Sequence, residues 1–238
     1  MSPILGLHIG DALVLARDLP DASVHCIVTS PPYYGLRSYV PDDHPMKGDE
    51  IGAEPTLAEY VARLVALFRE LRRALRPDGT CWLNLGDSYA ATRESGLKPK
   101  DLLLVPFRVA LALQDDGWWI RSHIVWAKRN CMPESVEDRP TCSHESVFLL
   151  ARSESYHYDA EAVKEPATSA PERRTIRDNA RNVGRHPAFP ADTGIRREAW
   201  GDRRNLRNVW SMASEPYGGA HYAVMPSALA RRCIEAGS

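Results

Sequence analysis

The run Val24-His25-Cys26-Ile27-Val28 is short, mostly apolar and rich in β-branched side chains, and it ends at Thr29-Ser30-Pro31-Pro32-Tyr33. A run of this length suits a strand buried on both faces of a parallel sheet. The two prolines that follow fix φ and remove two backbone donors, so neither helix nor further ladder can continue through them. The strand must therefore end in a stiff turn. This constrains the fold, because in open α/β sheets the space beyond the carboxyl ends of the strands is where ligands bind.

The rest of the first half repeats a strand–helix rhythm. Ile4–Ile9 reads as a strand, Gly10-Asp11 as a turn and Ala12–Leu19 as a helix that Pro20-Asp21 breaks. After a polar, Pro/Gly-rich loop from Gly35 to Pro55, Thr56-Leu57-Ala58-Glu59 forms a capping box. Behind it Leu57, Val61, Leu64, Val65, Phe68, Leu71 and Leu75 recur at three- and four-residue spacing, one apolar helix face that Pro77-Asp78-Gly79 should end. Thr80–Leu85 follows as a strand ending at Gly86-Asp87. A helix over Leu102–Leu113, a strand over Trp118–Trp126 and another over Ser146–Ala151 continue the alternation. Trp118, Trp119 and Trp126 are expected in the core. This pattern predicts an α/β fold with a mostly parallel sheet.

The composition is that of a globular chain: 238 residues, 44% apolar and 26% charged, with a formal net charge of −1. No run approaches the roughly 20 apolar residues a membrane-spanning helix needs, and the start lacks a signal-peptide layout, so the expectation is a cytoplasmic protein. The five cysteines are odd in number and scattered, which argues against a disulfide framework. Cys131, Cys142 and His144 are close in sequence, but a fourth ligand at zinc-like spacing is missing and no metal site is expected.

Charge is uneven along the chain. Of the 30 basic residues 25 are Arg, and between Lys164 and Arg207 one Lys and ten Arg face six acids, an excess of five positive charges. This segment is poor in aliphatics and interrupted by Pro and Gly. It reads either as a solvated loop or as a phosphate-contacting arm, with Arg196, Arg197, Arg203 and Arg204 as candidate phosphate contacts. Three parts follow: an α/β half over 1–163, an Arg-rich segment over 164–207, and a return to the core over 208–238 that ends in a helix at Pro226–Ala236.

Chemistry concentrates at the proline turn. A rigid turn offering the Ser30 hydroxyl, the Pro31 carbonyl and the Tyr33 ring suits a flat, amine-bearing ring. The ring stacks on Tyr33 while Ser30 and Pro31 accept from the amine. An ordinary proline turn is the plain alternative. Asp11 serves equally well as a helix N-cap. Gly86-Asp87 is either a cleft wall or a simple turn, and Lys128 either a packing residue or one that faces phosphate.

Beyond Gly10-Asp11, Leu19-Pro20-Asp21 and Thr29–Tyr33, the chain carries Leu75–Thr80, Leu83–Tyr89, Trp126–Asn130, Met132–Ser135, Asp138-Arg139, His144-Glu145, Asn208–Trp210 and Ala220–Pro226. In this order, over nearly the whole chain, these motifs resemble the β-type DNA amino-methyltransferases, which move a methyl group from S-adenosylmethionine to cytosine N4 or adenine N6. The resemblance implies a Rossmann-like methyltransferase sheet, an Arg-rich recognition insert and double-stranded DNA as partner. It implies a target base flipped out of the duplex, with Ser30, Pro31, Pro32 and Tyr33 around its amine. Asp11, Thr29 and His221 fall on the cofactor side. Ser rather than Asp before Pro-Pro-Tyr leans towards cytosine N4, with adenine N6 the alternative. The setting implied is a bacterial or phage restriction–modification system.

One departure accompanies the resemblance. The family's F-x-G-x-G loop at the methionine end of the cofactor should follow the terminal helix, and no two glycines here are separated by a single residue. The expectation is that a second polypeptide or an unusual dimer supplies it, the other reading being a non-catalytic DNA-binding remnant or subunit.

Overall fold

A computed structural model describes residues 6–45, 47–90, 97–167, 203–219 and 224–238. Its central sheet is built on strand β2 (Leu75–Leu85). On one side β2 pairs in parallel with β1 (Val24–Thr29), and on the other it pairs antiparallel with β4 (His144–Ala151). Next come β3 (Trp119–Lys128), antiparallel to β4, and β7 (Val209–Met212), parallel to β3, giving the order β1-β2-β4-β3-β7. Two of the four pairings are thus antiparallel, and the expected mostly parallel sheet is a mixed one. The reason lies between β3 and β4. A parallel return needs a long crossover, usually a helix, and the described link over residues 129–143 contains none.

The second half of β2, from Gly79 to Leu85, is buried throughout because both of its faces are covered. Cys81, Leu83 and Leu85 pack in a cluster with α2 (Leu57–Ala74) and α3 (Val105–Asp115), joined by Phe148 and Leu150 of β4. On the other face Thr80 and Trp82 meet α4 (Ser227–Gly237) so closely that Gly237 has no room for a Cβ. Strand β1 forms one edge of the sheet and pairs only with β2 among the described residues.

Helix α2 begins at the capping box. The Thr56 hydroxyl accepts from the Glu59 amide, and the Glu59 carboxylate accepts from the Thr56 amide at 3.0 Å. Leu57, Leu64 and Phe68 of the predicted face are buried, together with Tyr60 and Leu67. The helix stops at Ala74, ahead of Pro77, and the chain enters β2 at once. Pro77-Asp78-Gly79 instead sits inside β2, beside an irregularity in its pairing with β1. Arg152 donates to the Arg73 and Leu75 carbonyls where the helix ends, a cation at the negative end of the helix dipole.

Two local expectations fail. Residues 6–9 lie in no strand, Leu7 and Ile9 are fully exposed, and residues 4 and 5 fall outside the described part. No described strand runs beside them to take their backbone bonds. Trp118 and Trp126 are buried but Trp119 is 44% exposed, since consecutive side chains in an extended segment point to opposite faces.

Residues 1–159 with 207–238 form one compact unit and residues 160–206 a second. In the second unit, β5 (Glu165–Pro166) pairs antiparallel with β6 (Arg203–Arg204). No described helix is long and apolar enough to cross a membrane.

Candidate active site

At the carboxyl end of β1 the chain passes from half-buried Thr29 to exposed Ser30, then to buried Pro31 and half-buried Pro32 and Tyr33. The turn is braced from behind. The Tyr60 hydroxyl of α2 donates to the Pro32 carbonyl at 3.0 Å. Gly52, at φ +96°, passes so close that a Cβ there would lie 2.9 Å from the Tyr33 carbonyl. Only glycine adopts this φ without strain. The Tyr33 ring lies on Gly86, where a Cβ would come within 2.7 Å of a ring carbon.

The Tyr33 hydroxyl is the centre of a polar cluster. It donates to Glu145 Oε2 at 2.6 Å and accepts from Asn84 Nδ2 at 2.8 Å, and Ser30 Oγ lies 3.2 Å away. The same Asn84 amide donates to Glu145 Oε2 at 2.8 Å, and Lys128 Nζ pairs with Glu145 Oε1. Burial pushes the Tyr33 phenol well above its ordinary pKa, and the Glu145 carboxylate beside it pushes further in the same direction.

Strand register explains how residues so far apart in sequence meet. Asn84 lies opposite Val147 and Trp126 opposite Glu145. Counting by twos along each strand puts Asn84, Glu145 and Lys128 on one face of the sheet. Strand β4 enters the sheet where β1, β2 and β3 leave it, because it runs antiparallel to both its neighbours.

Of the residues singled out from sequence, Ser30, Pro31, Pro32 and Tyr33 form this turn, and Lys128 joins it through Glu145. Asp11 caps α1 (Ala12–Asp18), its Oδ1 accepting from the Val14 amide at 2.8 Å. Asp87 accepts from the Ser88 amide at 2.9 Å and the Val105 amide at 3.0 Å, which fastens the start of α3, while Gly86 supports Tyr33. In the second unit Arg203 donates to the Lys164 carbonyl at 2.7 Å and Arg204 to Glu165 at 2.8 Å. Arg196, Arg197 and His221 lie outside the described residues. All five cysteines are free thiols, and no described group of three His, Cys, Asp or Glu side chains converges on a metal position.

Asn84 and Glu145 fall within the Leu83–Tyr89 and His144-Glu145 motifs, but nothing in the sequence assigns either a role. The available signals were an amide in the middle of the otherwise apolar Cys81-Trp82-Leu83-Asn84-Leu85 run and an acid at the start of another apolar strand. Neither reveals its partner without the register.

A family model described as DNA methylase, for the N6/N4 methyltransferases, matches residues 24–238. The chain belongs to this family. Members transfer the methyl group of S-adenosylmethionine to an amino group of a DNA base. Type II methyltransferase M.SmaI of Serratia marcescens is 42% identical over 97% of this chain and 74% of its own length. M.Cfr9I of Citrobacter freundii is also 42% identical, over 94% of this chain and 70% of its own. Among solved structures, the PvuII DNA methyltransferase (cytosine-N4-specific) superposes with a TM-score of 0.63 at 16% identity, covering 97% of this chain and 69% of that one. A DNA modification methylase from Thermus thermophilus, complexed with S-adenosyl-L-methionine, gives 0.54 at 20% identity, covering 96% and 72%. At these identities the two structures establish the fold: a Rossmann-like methyltransferase sheet.

Proposed function

We propose that this DNA amino-methyltransferase acts on a base flipped out of double-stranded DNA, with cytosine N4 as the preferred acceptor and adenine N6 the alternative. The observation that carries the reading is the turn itself: an exposed Ser30 hydroxyl at the carboxyl end of β1, backed by a proline pair and an aromatic ring that cannot move freely. The amine of a paired base is inaccessible in the stack, so the base must leave it to be modified. Its lone pair is conjugated with the ring and weakly nucleophilic. Acceptors at Ser30 Oγ and the Pro31 carbonyl draw its protons and favour the pyramidal amine whose lone pair can attack. The gain comes from positioning and electrostatics. Tyr33 supplies the stacking face, and the methylated amine then releases a proton to water.

S-adenosylmethionine supplies the electrophilic methyl group on its sulfonium. Asp11 and Thr29 fit its adenosine half: Asp11 spends Oδ1 on its cap and keeps Oδ2 as an acceptor for a hydroxyl, and Thr29 adjoins Ser30. His221 is assigned to the methionine end by resemblance alone. No F-x-G-x-G element occurs in these 238 residues, and we assign that part of the cofactor site to a second polypeptide or an unusual dimer. The Arg-rich 164–207 segment is assigned to DNA contact, with Arg196, Arg197, Arg203 and Arg204 on phosphates. The type II methyltransferases among the relatives support a place in a restriction–modification system.

The test uses the complete enzyme with labelled S-adenosylmethionine and duplex DNA. Ser30→Ala should bind DNA normally and methylate on the order of 10²-fold more slowly, the loss typical of one positioned hydrogen-bonding group. Digestion of the product identifies N4-methylcytosine or N6-methyladenine. A wild-type rate for Ser30→Ala would overturn the assignment.

A further inference from the structure

We infer that Glu145 is a positioning residue that sets the direction of the hydrogen-bond chain ending at Ser30, making the Ser30 hydroxyl an acceptor for the target amine. The inference rests on the functional reading above. A hydroxyl both donates and accepts, so a serine in this turn can present either its proton or its lone pairs to the base. Presenting the proton would oppose an amine's N–H. Something must orient it.

The cluster leaves one consistent assignment. Ionised Glu145 only accepts, and Lys128 Nζ only donates. The Tyr33 hydroxyl, 2.6 Å from Glu145 Oε2, must therefore spend its proton there. Asn84 then directs both N–H groups outward, one to Glu145 Oε2 and one to the Tyr33 oxygen, each at 2.8 Å. The flipped amide would set Asn84 Oδ1 against the carboxylate. Instead that oxygen is buried with no partner among the described residues, a cost the fold accepts to keep both donors in place. The Tyr33 oxygen, its own proton committed, can only accept from Ser30 Oγ at 3.2 Å. The Ser30 proton thus points inward, and its lone pairs are left for the amine. An aspartate at the same position would accept without help. A serine needs the carboxylate two hydrogen bonds away.

The experiment is a mutant cycle in the complete enzyme, measuring kcat, KM for DNA and thermal melting. Glu145→Gln keeps the shape but can donate as well as accept, so the chain can reverse. We expect kcat to fall roughly 10- to 100-fold, comparable to misplacing a reacting group by about 1 Å, with KM little changed. Melting should fall as the charged bonds to Lys128 and Tyr33 are lost, and it serves to show that the variant is folded at the assay temperature. In a Ser30→Asp background the acceptor is independent of the chain, and Glu145→Gln should then cost less than about 3-fold. Tyr33→Phe, which keeps the ring but removes the relay, should match Glu145→Gln, and the two together should be no slower than either alone. Equal loss from Glu145→Gln in both backgrounds would overturn the inference, and so would multiplicative losses from Glu145→Gln and Tyr33→Phe. Should Glu145→Gln not fold or Ser30→Asp be inactive, the remaining comparison decides: Tyr33→Phe at the wild-type rate also overturns it. A slow Ser30→Ala beside a wild-type Glu145→Gln rejects this inference alone, whereas a fast Ser30→Ala rejects the functional reading beneath it.

Discussion

Gly86→Ala should damage stability and activity together, through one contact. The added Cβ would sit 2.7 and 2.8 Å from two carbons of the Tyr33 ring, against ordinary carbon contacts of about 3.5–4.0 Å. Relief requires the ring to move by roughly 1 Å. It is held at both ends: its backbone follows two prolines, and its hydroxyl bonds Glu145 at 2.6 Å and Asn84 at 2.8 Å. Overpacking of this kind costs about 1–3 kcal/mol. Breaking the hydroxyl's bond to a charged group adds about 1.5–3 kcal/mol, so a loss of about 2.5–6 kcal/mol is expected. Gly48 has nothing within 4 Å of its ideal Cβ, so Gly48→Ala is the control and should stay within about 0.5 kcal/mol. Urea unfolding measures both, and methyl transfer should fall with Gly86→Ala only. A Gly86→Ala protein as stable and active as the control would mean the ring is not pinned, and the role given to Ser30 would lose its support.

Gly237→Ala should destabilise by about 1–3 kcal/mol or more, because its Cβ would meet Trp82 Nε1 at 2.7 Å and Cys26 Sγ at 3.1 Å, both in the sheet; an unchanged melting temperature would show that α4 is seated differently. Stability should decline at alkaline pH. Burial raises the pKa of Cys81, Cys233, Tyr33 and Tyr60 in the folded state, so their contribution is complete below the unfolded values of about 8.5 and 10 and is lost above them, by up to about 1.4 kcal/mol per pH unit per group. Urea midpoints that stay flat from pH 7 to 10.5 would contradict this. Replacing Arg196, Arg197, Arg203 and Arg204 with Gln should weaken DNA binding and flatten its salt dependence by about one unit of slope for each phosphate no longer neutralised; an unaltered slope would reduce the segment to a solvated loop.

Local signals in this chain were legible wherever a few neighbouring residues decide the outcome. Thr56 and Glu59 mark the start of α2 because a capping box is complete within four residues. The spacing of Leu57, Leu64 and Phe68 marks its buried face, and the β-branched run with its prolines marks both ends of β1. What was not legible depends on neighbours distant in sequence. Pro77-Asp78-Gly79 reads as a helix stop, yet it lies within β2, where the pairing with β1 skips from Leu75 to Thr80. The alternation of strands and helices suggests a parallel sheet, yet the helix-free link before β4 reverses that strand. Trp119 looks like Trp118, yet it lies on the other side of the chain.

The reversal of β4 also assembles the site. In an all-parallel sheet the carboxyl ends of the strands share one edge, and each contributes the residues that follow it. Here β1 contributes Ser30 and Tyr33 in that way, and β2 and β3 bring Asn84 and Lys128 near their ends. Strand β4 runs the other way, so its first residues reach the same edge and place Glu145 beside Lys128 and Tyr33. A shift of β4 by one residue would turn Glu145 to the opposite face, since side chains alternate with a period of two. Val147 and Leu149 would change places with Phe148 and Leu150, and all four are buried, so side-chain burial alone does not choose between the two registers. The pairing of β4 with β2 on one side and β3 on the other holds the register that delivers the carboxylate. This is why the His144-Glu145 motif did not disclose what Glu145 does: its place follows from the pairing of β4 with both neighbours.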